Sequence, residues 1–576
     1  MASRADTDSY HPWFERWTDL EKWERERFRA YGLPWAPDAG LRDLGYLVIH
    51  SKVEYQGQPL KIAVVYPTEY PELPPWVYAD RVVLDRHQLP FRANFCLLER
   101  PIDSWQGREW GAADLIAEQL LPLLRDSEAG PEVVRAREAP IPEPASAFFG
   151  YADNAVVLVP ANLTSTQGDS GSFEVKVFDT DRYLLTKVGS VSADTPLAEL
   201  LPLHGALKGK WKRVDKHPSE GPFGEEVLDW VRRTLPELLK SPAPPQPPRK
   251  RGRRRSPTAT PSMQIVGLVF PEERAADGAE HDAWMFLGIR NGTEGFLLHS
   301  EEASVEQRQR RIPDLAGLET KSALVLGAGS LGSDVALHLS RAGIGRLVVI
   351  DSDRFEVNNA VRHALGVEKS GLRKAEAVAQ LCRLANPFCD AASVELTVGG
   401  VEPQRPPLKV LEEAVAEADL LVETTGVNQI ELLAGRVAWD HDLPIISCWM
   451  TEGSWAGEVV RIRPGATMCM TCFHAGQRQG ELLSGDAAPE DEAMVVAQGC
   501  THPTVSGAGF DAAETAAMAA RLACQTLLDD DKYPSPDWDH AVSNFRRDPK
   551  DEDFPRAGVE ALAPNAECER CGQGAG

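Results

Sequence analysis

Along residues 322–374 the hydrophobic pattern changes period twice. A run of consecutive apolar residues at 323–326 reads as a buried strand, and glycines follow at Gly327, Gly329 and Gly332. Apolar positions then recur at helical spacing until a second strand-like run at 347–350 ends in Asp351. This order predicts a βαβ nucleotide-binding unit. Glycines let the backbone approach a phosphate, the helix N-terminus supplies positive potential, and an acid about 20 residues further on takes ribose hydroxyls. A third strand-like run at 420–422 continues as Glu423-Thr424-Thr425-Gly426, and residues 501–528 read as a loop followed by an alanine-rich helix.

The first 150 residues carry a different pattern. Residues 9–31 place aromatic and leucine positions at helical spacing with charges between them. Strand-like runs follow at 45–51, 60–66 and 76–78, with a proline-rich segment at 66–77 that forbids regular structure, and a helical stretch spans 112–124. Beyond them, 155–159 and 173–177 read as strands and 225–239 as an amphipathic helix. Residues 241–262, SPAPPQPPRKRGRRRSPTATPS, form a proline-rich basic linker without periodicity. Strand character then resumes. The expected organisation is an α+β domain over 1–150, an α+β connecting domain over 151–310 interrupted by a disordered loop at 241–262, and an α/β Rossmann-like domain over 311–576.

Composition narrows the function. A chain of 576 residues holds three or four domains, each with its own core. Lys+Arg 61 against Asp+Glu 86 leaves a net charge of −25, which argues against coating duplex DNA. The six basic residues at 249–255 are read as a solvated loop rather than a nucleic-acid contact. No 18-residue apolar run exists and the N-terminus lacks a signal-peptide core, so a soluble cytoplasmic protein is expected. Ten cysteines are too few for a secreted disulfide scaffold. Cys469-Met-Thr-Cys472 and Cys568-Glu-Arg-Cys571 are two C-x-x-C knuckles, together the usual four-thiolate set for structural zinc, whereas either alone would also suit a redox pair. Cys382, Cys389, Cys448 and Cys524 lie in apolar or helical contexts and read as packing residues.

After Asp351 come Asp353, Asn359, Arg362 and Lys374, which hydride transfer does not require. Cleaving ATP between its α and β phosphates needs cations on the departing pyrophosphate, a job for Arg362 and Lys374, and a carboxylate for Mg²⁺, a job for Asp353. The stretch resembles the ThiF/MoeB-like adenylation domain shared by ubiquitin-activating enzymes and bacterial sulfur-carrier adenylyltransferases. Its pattern of glycine turn, Asp-x-Asp, Asn, Arg and Gly-x-x-Lys is met by Asp351-Ser-Asp353, Asn359, Arg362 and Gly371-Leu-Arg-Lys374. One departure concerns the metal. The aspartate that the family places after the next strand falls near Gly426, so that either Glu423 substitutes or Asp353 serves alone. The resemblance strengthens the zinc reading and matches Cys500 to the cysteine that takes the activated carboxylate as a thioester. It also implies a two-fold homodimer in which Arg310 or Arg311 reaches a neighbour's ATP.

The order of elements in the first domain resembles the ubiquitin-conjugating fold: helix, strand meander, Tyr-Pro…Pro segment, histidine loop, Cys-Leu, tryptophan, helix. Cys96 falls at that family's thioester position, followed by Leu97 and by Trp105, and His87 matches the histidine of its His-Pro-Asn motif. Gln88 and Leu89 replace the proline and asparagine, leaving Asn94 as a substitute oxyanion donor. The whole chain therefore resembles bacterial fusions of ubiquitin-conjugating and ubiquitin-activating domains, found in antiviral cyclic-oligonucleotide signalling operons and beside small ubiquitin-like proteins. The resemblance implies ATP-dependent activation of a protein C-terminus, ubiquitin-like or nucleotidyltransferase-like. A thioester on Cys500, exchange onto Cys96 and amide formation with a target lysine follow. ATP, Mg²⁺ and Zn²⁺ are the implied cofactors, and neither membrane nor nucleic acid is an expected partner. A sulfur-carrier-type adenylyltransferase and a non-catalytic scaffold remain as alternatives.

Overall fold

The computed structural model describes residues 11–80, 82, 84, 87–88, 94–98, 105–107, 109–129, 156–160, 168–177, 205–215, 227–239, 263–273, 280–400, 406–488, 494–496, 503–505, 507–545 and 556–572. The chain forms two compact units, Met1–Ala303 and Ser304–Gly576. The basic run at 249–255 and Cys500 lie outside the described residues.

The first unit holds two sheets. Strands β1 (Ala36–Pro37), β2 (Leu47–Tyr55), β3 (Gln58–Tyr66) and β4 (Trp76–Ala79) form an antiparallel meander in that order. The β2–β3 hairpin turns at Gln56-Gly57, both at positive φ, a two-residue turn whose twist matches the strands it joins. The sequence pattern over 9–31 resolves into two helices, Trp13–Arg16 and Thr18–Ala30, because Trp17 leaves helical geometry at φ −125°, ψ 66°. Phe14, Phe28, Leu47, Ile49, Val64 and Ile116 close the core between these helices, the sheet and the helical segment Ala112–Ala129.

The second sheet has strands β5 (Val156–Pro160), β6 (Ser170–Val177), β7 (Gly205–Arg213), β8 (Met263–Glu273), β9 (Glu280–Arg290) and β10 (Glu294–Ala303), ordered β5-β10-β9-β8-β7-β6. Phe173, Trp211, Trp284 and Phe286 pack one face, with Trp284 stacked on Phe286 at 5.3 Å. The helix Val227–Thr234 covers the other. It stops short of the expected residue 239 because Leu235 precedes Pro236, and the proline ring disfavours helical geometry before it.

The second unit is built on one eight-stranded sheet. Its strands are β11 (Ser322–Leu326), β12 (Arg346–Ile350), β13 (Asp390–Val394), β14 (Leu420–Glu423), β15 (Ile445–Met450), β16 (Ala456–Ile462), β19 (His540–Asn544) and β20 (Arg556–Glu560). A small hairpin, β17 (Met494–Val496) with β18 (Pro503–Val505), stands apart. The order β13-β12-β11-β14-β15-β16-β19-β20 is parallel through β15 and antiparallel beyond it. Alternation along β11 sends Ala323 and Val325 to one face and Leu324 and Leu326 to the other. Helices Ser330–Ala342, Lys374–Ala385 and Gly509–Leu528 cover the first face; Pro407–Ala416, Asn428–Asp440 and Met470–Gln479 cover the second. Strand order reverses between β11 and β14, and a ligand in such a sheet binds outside the carboxyl ends of the strands flanking that point.

Candidate active site and metal centre

The glycine turn sits at that switch point. Gly327 leaves β11 at φ +98°, where a side chain is strained, and its N–H donates to the Ile350 carbonyl at 2.8 Å. Thr424, just after β14, keeps its hydroxyl 3.1 Å from the Leu326 carbonyl and 3.0 Å from that of Gly327. A methyl group on Gly332 would stand 2.0 Å from the Gly327 oxygen, whereas one on Gly329 would meet nothing within 4 Å. Two glycines therefore permit internal packing, and the middle one faces open space at a helix N-terminus, as a phosphate site requires.

Asp351 braces this turn from below: its carboxylate accepts the Ala328 N–H at 2.7 Å and the Asp353 N–H at 2.6 Å. Lys374 opens its helix with its N–H on the Asp353 carbonyl at 2.9 Å and its ammonium 3.0 Å from the Asp353 carboxylate. Asn359 closes a short turn, its Oδ1 accepting from the Glu356 N–H at 3.0 Å. Arg362 is half-buried after that turn; burial lowers its pKa, yet a guanidinium starts so high that it stays charged. Gly509, at the start of the alanine-rich helix, packs against the backbone of Val361 and Arg362.

His363 escaped the sequence reading. The Leu365 N–H donates to its Nδ1 at 3.1 Å, so Nε2 carries the proton and donates to the Ala328 carbonyl at 2.8 Å. Burial pushes its pKa down to about 4, so a neutral imidazole supports the glycine turn. No spacing in the chain would have marked it. Glu423 ends β14 with 1% exposure, its carboxyl engaged by Thr425 and Ser447.

The four knuckle cysteines converge: their sulfurs all lie within 4.8 Å of one another. Sγ of Cys469 is 4.0 Å from that of Cys568, and Sγ of Cys571 is 3.8 Å from that of Cys472. Four thiolates about 2.3 Å from a tetrahedral zinc would stand about 3.8 Å apart, so the cluster fits that metal. N–H groups of Cys571 and Arg570 lower the pKa of the Cys568 thiol, whereas burial raises those of Cys469 and Cys472. Cys382, Cys389, Cys448 and Cys524 are buried.

In the first unit Cys96 is exposed. Gln88 and Phe95 form an antiparallel bridge, and the Cys96 N–H donates to the His87 carbonyl at 2.8 Å, so these two residues stand opposite each other. His87 holds a positive φ of 60°. Asn94 is buried, and among the described residues its Oδ1 has no hydrogen-bond partner. Trp105 donates its indole N–H to the Pro71 carbonyl at 2.7 Å. Glu24 is buried in the same domain and accepts from the Tyr66 and Tyr70 hydroxyls and the Ala112 N–H; burial pushes it up to about 7 against those bonds.

The doubly wound sheet with a glycine turn at its switch point is a Rossmann-like arrangement. Residues 307–536 match the ThiF family. The chain is similar to protein y4oA of Sinorhizobium fredii, 25% identical over 560 residues that cover 90% of each chain. It is also similar to the ATP-dependent ubiquitin transferase-like protein Cap2 of Enterobacter hormaechei, 24% identical over 40% of this chain and 37% of that one. Ubiquitin-like modifier-activating enzyme 5 of Drosophila mojavensis is 25% identical over 46% of this chain and 61% of its own. Among solved structures, Escherichia coli MccB with succinimide aligns at a TM-score of 0.35 and 16% identity, covering 46% of this chain and 74% of that chain. Among the described residues, no helix is long and apolar enough to cross a membrane.

Proposed function

We propose that this protein activates the C-terminal carboxylate of a partner protein by adenylation and passes it through two cysteines to an amine. The carrying observation is the glycine turn at the switch point with Arg362, Lys374 and Asp353 in the segment beyond it, inside the stretch that matches the ThiF family. Gly329 leaves room for phosphate, Arg362 and Lys374 stabilise the departing pyrophosphate, and Asp353 supplies a carboxylate for Mg²⁺. The Cys500 thiol then attacks the acyl-adenylate, forming a thioester and releasing AMP; the Cys96 thiol takes the acyl group and frees Cys500, and a target lysine attacks that thioester to form the amide and free Cys96. The exposure of Cys96 suits exchange, and its pairing with His87 supports a built site around it. The resemblance of the sequence motifs to fused conjugating and activating enzymes extends this reading to a bacterial antiviral or ubiquitin-like pathway, a ubiquitin-like or nucleotidyltransferase-like substrate, and a homodimer with Arg310 or Arg311 near the neighbour's nucleotide. Similarity to the ATP-dependent ubiquitin transferase-like protein Cap2 supports its ubiquitin-like part.

Pyrophosphate exchange into ATP, measured with the purified protein and a candidate partner, tests the first step. Arg362→Ala or Lys374→Ala should lower it about a hundredfold or more, since each removes a cation from a desolvated polyphosphate site. Exchange that survives both changes would place the triphosphate elsewhere. Cys500→Ala should keep exchange and lose every reductant-sensitive adduct. Cys96→Ala should keep the first thioester and lose the amide; an intact conjugate in that variant would favour a sulfur-carrier-type adenylyltransferase.

A further inference from the structure

Behind the glycine turn lies a buried polar chain that the adenylation reading does not use. Ser447 Oγ stands 3.0 Å from Glu423 Oε2 and 2.7 Å from Glu431 Oε1, and Glu431 Oε2 is 3.1 Å from His474 Nε2. Glu423 is 1% and Glu431 4% exposed, and Ser447 is fully buried. A serine hydroxyl owns one proton, so it can serve only one of the two carboxylates. If both acids were ionised, an oxygen of one would face a hydroxyl lone pair across about 3 Å, and two negative charges would share a dry interior. One additional proton removes both penalties.

Its place follows from the remaining bonds. Glu431 has an imidazole nitrogen on its second oxygen. Glu423 has the Thr425 N–H at 2.8 Å and the Thr425 hydroxyl, both on Oε1, so that among the described residues Oε2 meets only Ser447. A proton on Oε2 gives an unbroken run: Glu423 O–H donates to Ser447, Ser447 O–H donates to Glu431, and His474 completes the Glu431 carboxylate. We propose that Glu423 is a protonated positioning residue of the nucleotide site and not a metal ligand. Through Thr425 it fixes the turn after β14, and the neighbouring Thr424 hydroxyl lies within hydrogen-bond distance of the Leu326 and Gly327 carbonyls, with one proton to donate to either. Burial pushes Glu423 up to about 7, with the negative charge of Glu431 acting in the same direction. Among the described residues, Cys448, whose thiol burial holds neutral, and His474 beyond Glu431 are further titratable groups near it. A magnesium ligand would need an oxygen open to the site, and this carboxyl, 1% exposed with both oxygens engaged by Thr425 and Ser447, offers none.

The functional half of this proposal rests on the adenylation reading; the proton does not. Difference infrared spectra of the full chain, wild type minus Glu423→Gln, should show the carbonyl band of a protonated carboxyl at about pH 5.5 and lose it at about pH 8.5, either side of about 7. Ser447→Ala, which keeps the acid but removes its acceptor, should shift that band to higher frequency. Glutamine accepts from Thr425 and donates to Ser447 as the acid does. Glu423→Gln should therefore keep pyrophosphate exchange within about twofold at the lower pH and retain it at the higher, where wild type falls about tenfold. Glu423→Asp, too short to span Thr425 and Ser447, should lose exchange at both. Absence of the band, an unshifted band in Ser447→Ala, or loss of exchange in Glu423→Gln with a raised Mg²⁺ requirement would overturn the proposal. A wild type that bears the band yet exchanges no pyrophosphate would sink the adenylation reading alone.

Discussion

Two alanine substitutions in the glycine turn separate its packing from its chemistry. A methyl on Gly332 would lie 2.0 Å from the Gly327 oxygen, 2.4 Å from Thr424 Oγ1 and 2.9 Å from the Gly327 carbonyl carbon. Relief to an ordinary contact of about 3.4 Å requires helix and loop to part by about 1.4 Å, and both obstacles nearest the methyl are held by hydrogen bonds. Overpacking of this kind costs about 1–3 kcal/mol, offset in part by the roughly 1 kcal/mol that alanine gains over glycine inside a helix. Gly329 has no neighbour within 4 Å and a negative φ of −80°, so alanine there restricts only the unfolded chain, worth about 0.4–1 kcal/mol of stability. Gly329→Ala should melt at or above wild type while binding ATP at least about tenfold more weakly, about 1.4 kcal/mol, because its methyl occupies phosphate space. Gly332→Ala should melt lower and bind more weakly. Thermal melts paired with calorimetric ATP titration of the full chain measure both effects. Wild-type ATP affinity in Gly329→Ala would refute a phosphate seated on this turn, and an unchanged melt in Gly332→Ala would refute the packing argument.

Other expectations follow from the remaining sites. Elemental analysis should find one zinc per chain, and Cys469→Ser or Cys568→Ser should lower both zinc content and melting temperature, since a closed thiolate site couples binding to folding. Glu24 has a folded pKa of about 7 against 4.5, so the folded state holds more protons across that window and stability falls as pH rises through it. Glu24→Gln should flatten this decline in melts taken across it, and an equally steep decline would show that another group titrates. His363, depressed to about 4, should show no imidazole titration by NMR between about pH 8 and about pH 5; a midpoint near 6.5 would mean that its support of the glycine turn is absent in solution.

Much of the second unit was legible because one physical rule dominates it. A parallel strand buried on both faces must be continuously apolar, and the runs at 323–326, 347–350 and 420–422 are observed as β11, β12 and β14. The knuckle cysteines were equally legible, since thiol pairs at fixed spacing have few other uses, and their sulfurs do converge. The helix pattern at 9–31 hid its break at Trp17, a residue that fits either conformation, and 225–239 was read past the Leu235–Pro236 stop. Strand β1 went unread: two residues, Ala36 and Pro37, carry no periodicity and exist as a strand only through pairing with β2.

The chain alone determined the strands and helix of the nucleotide unit and which residue types stand at the glycine turn, because periodicity, glycine and metal-ligand spacing are local properties. It determined Asp353 and Lys374 as candidates for the same reason. Only the tertiary structure decided what each group faces. It turned Asp351 toward two backbone N–H groups, set neutral His363 under the turn, and left Gly329 open while closing Gly327 and Gly332. It also buried Glu423 in a chain with Ser447, Glu431 and His474. Hydrogen-bond partners and burial depend on residues far apart in sequence, and a proton count on one serine needs all of them in place.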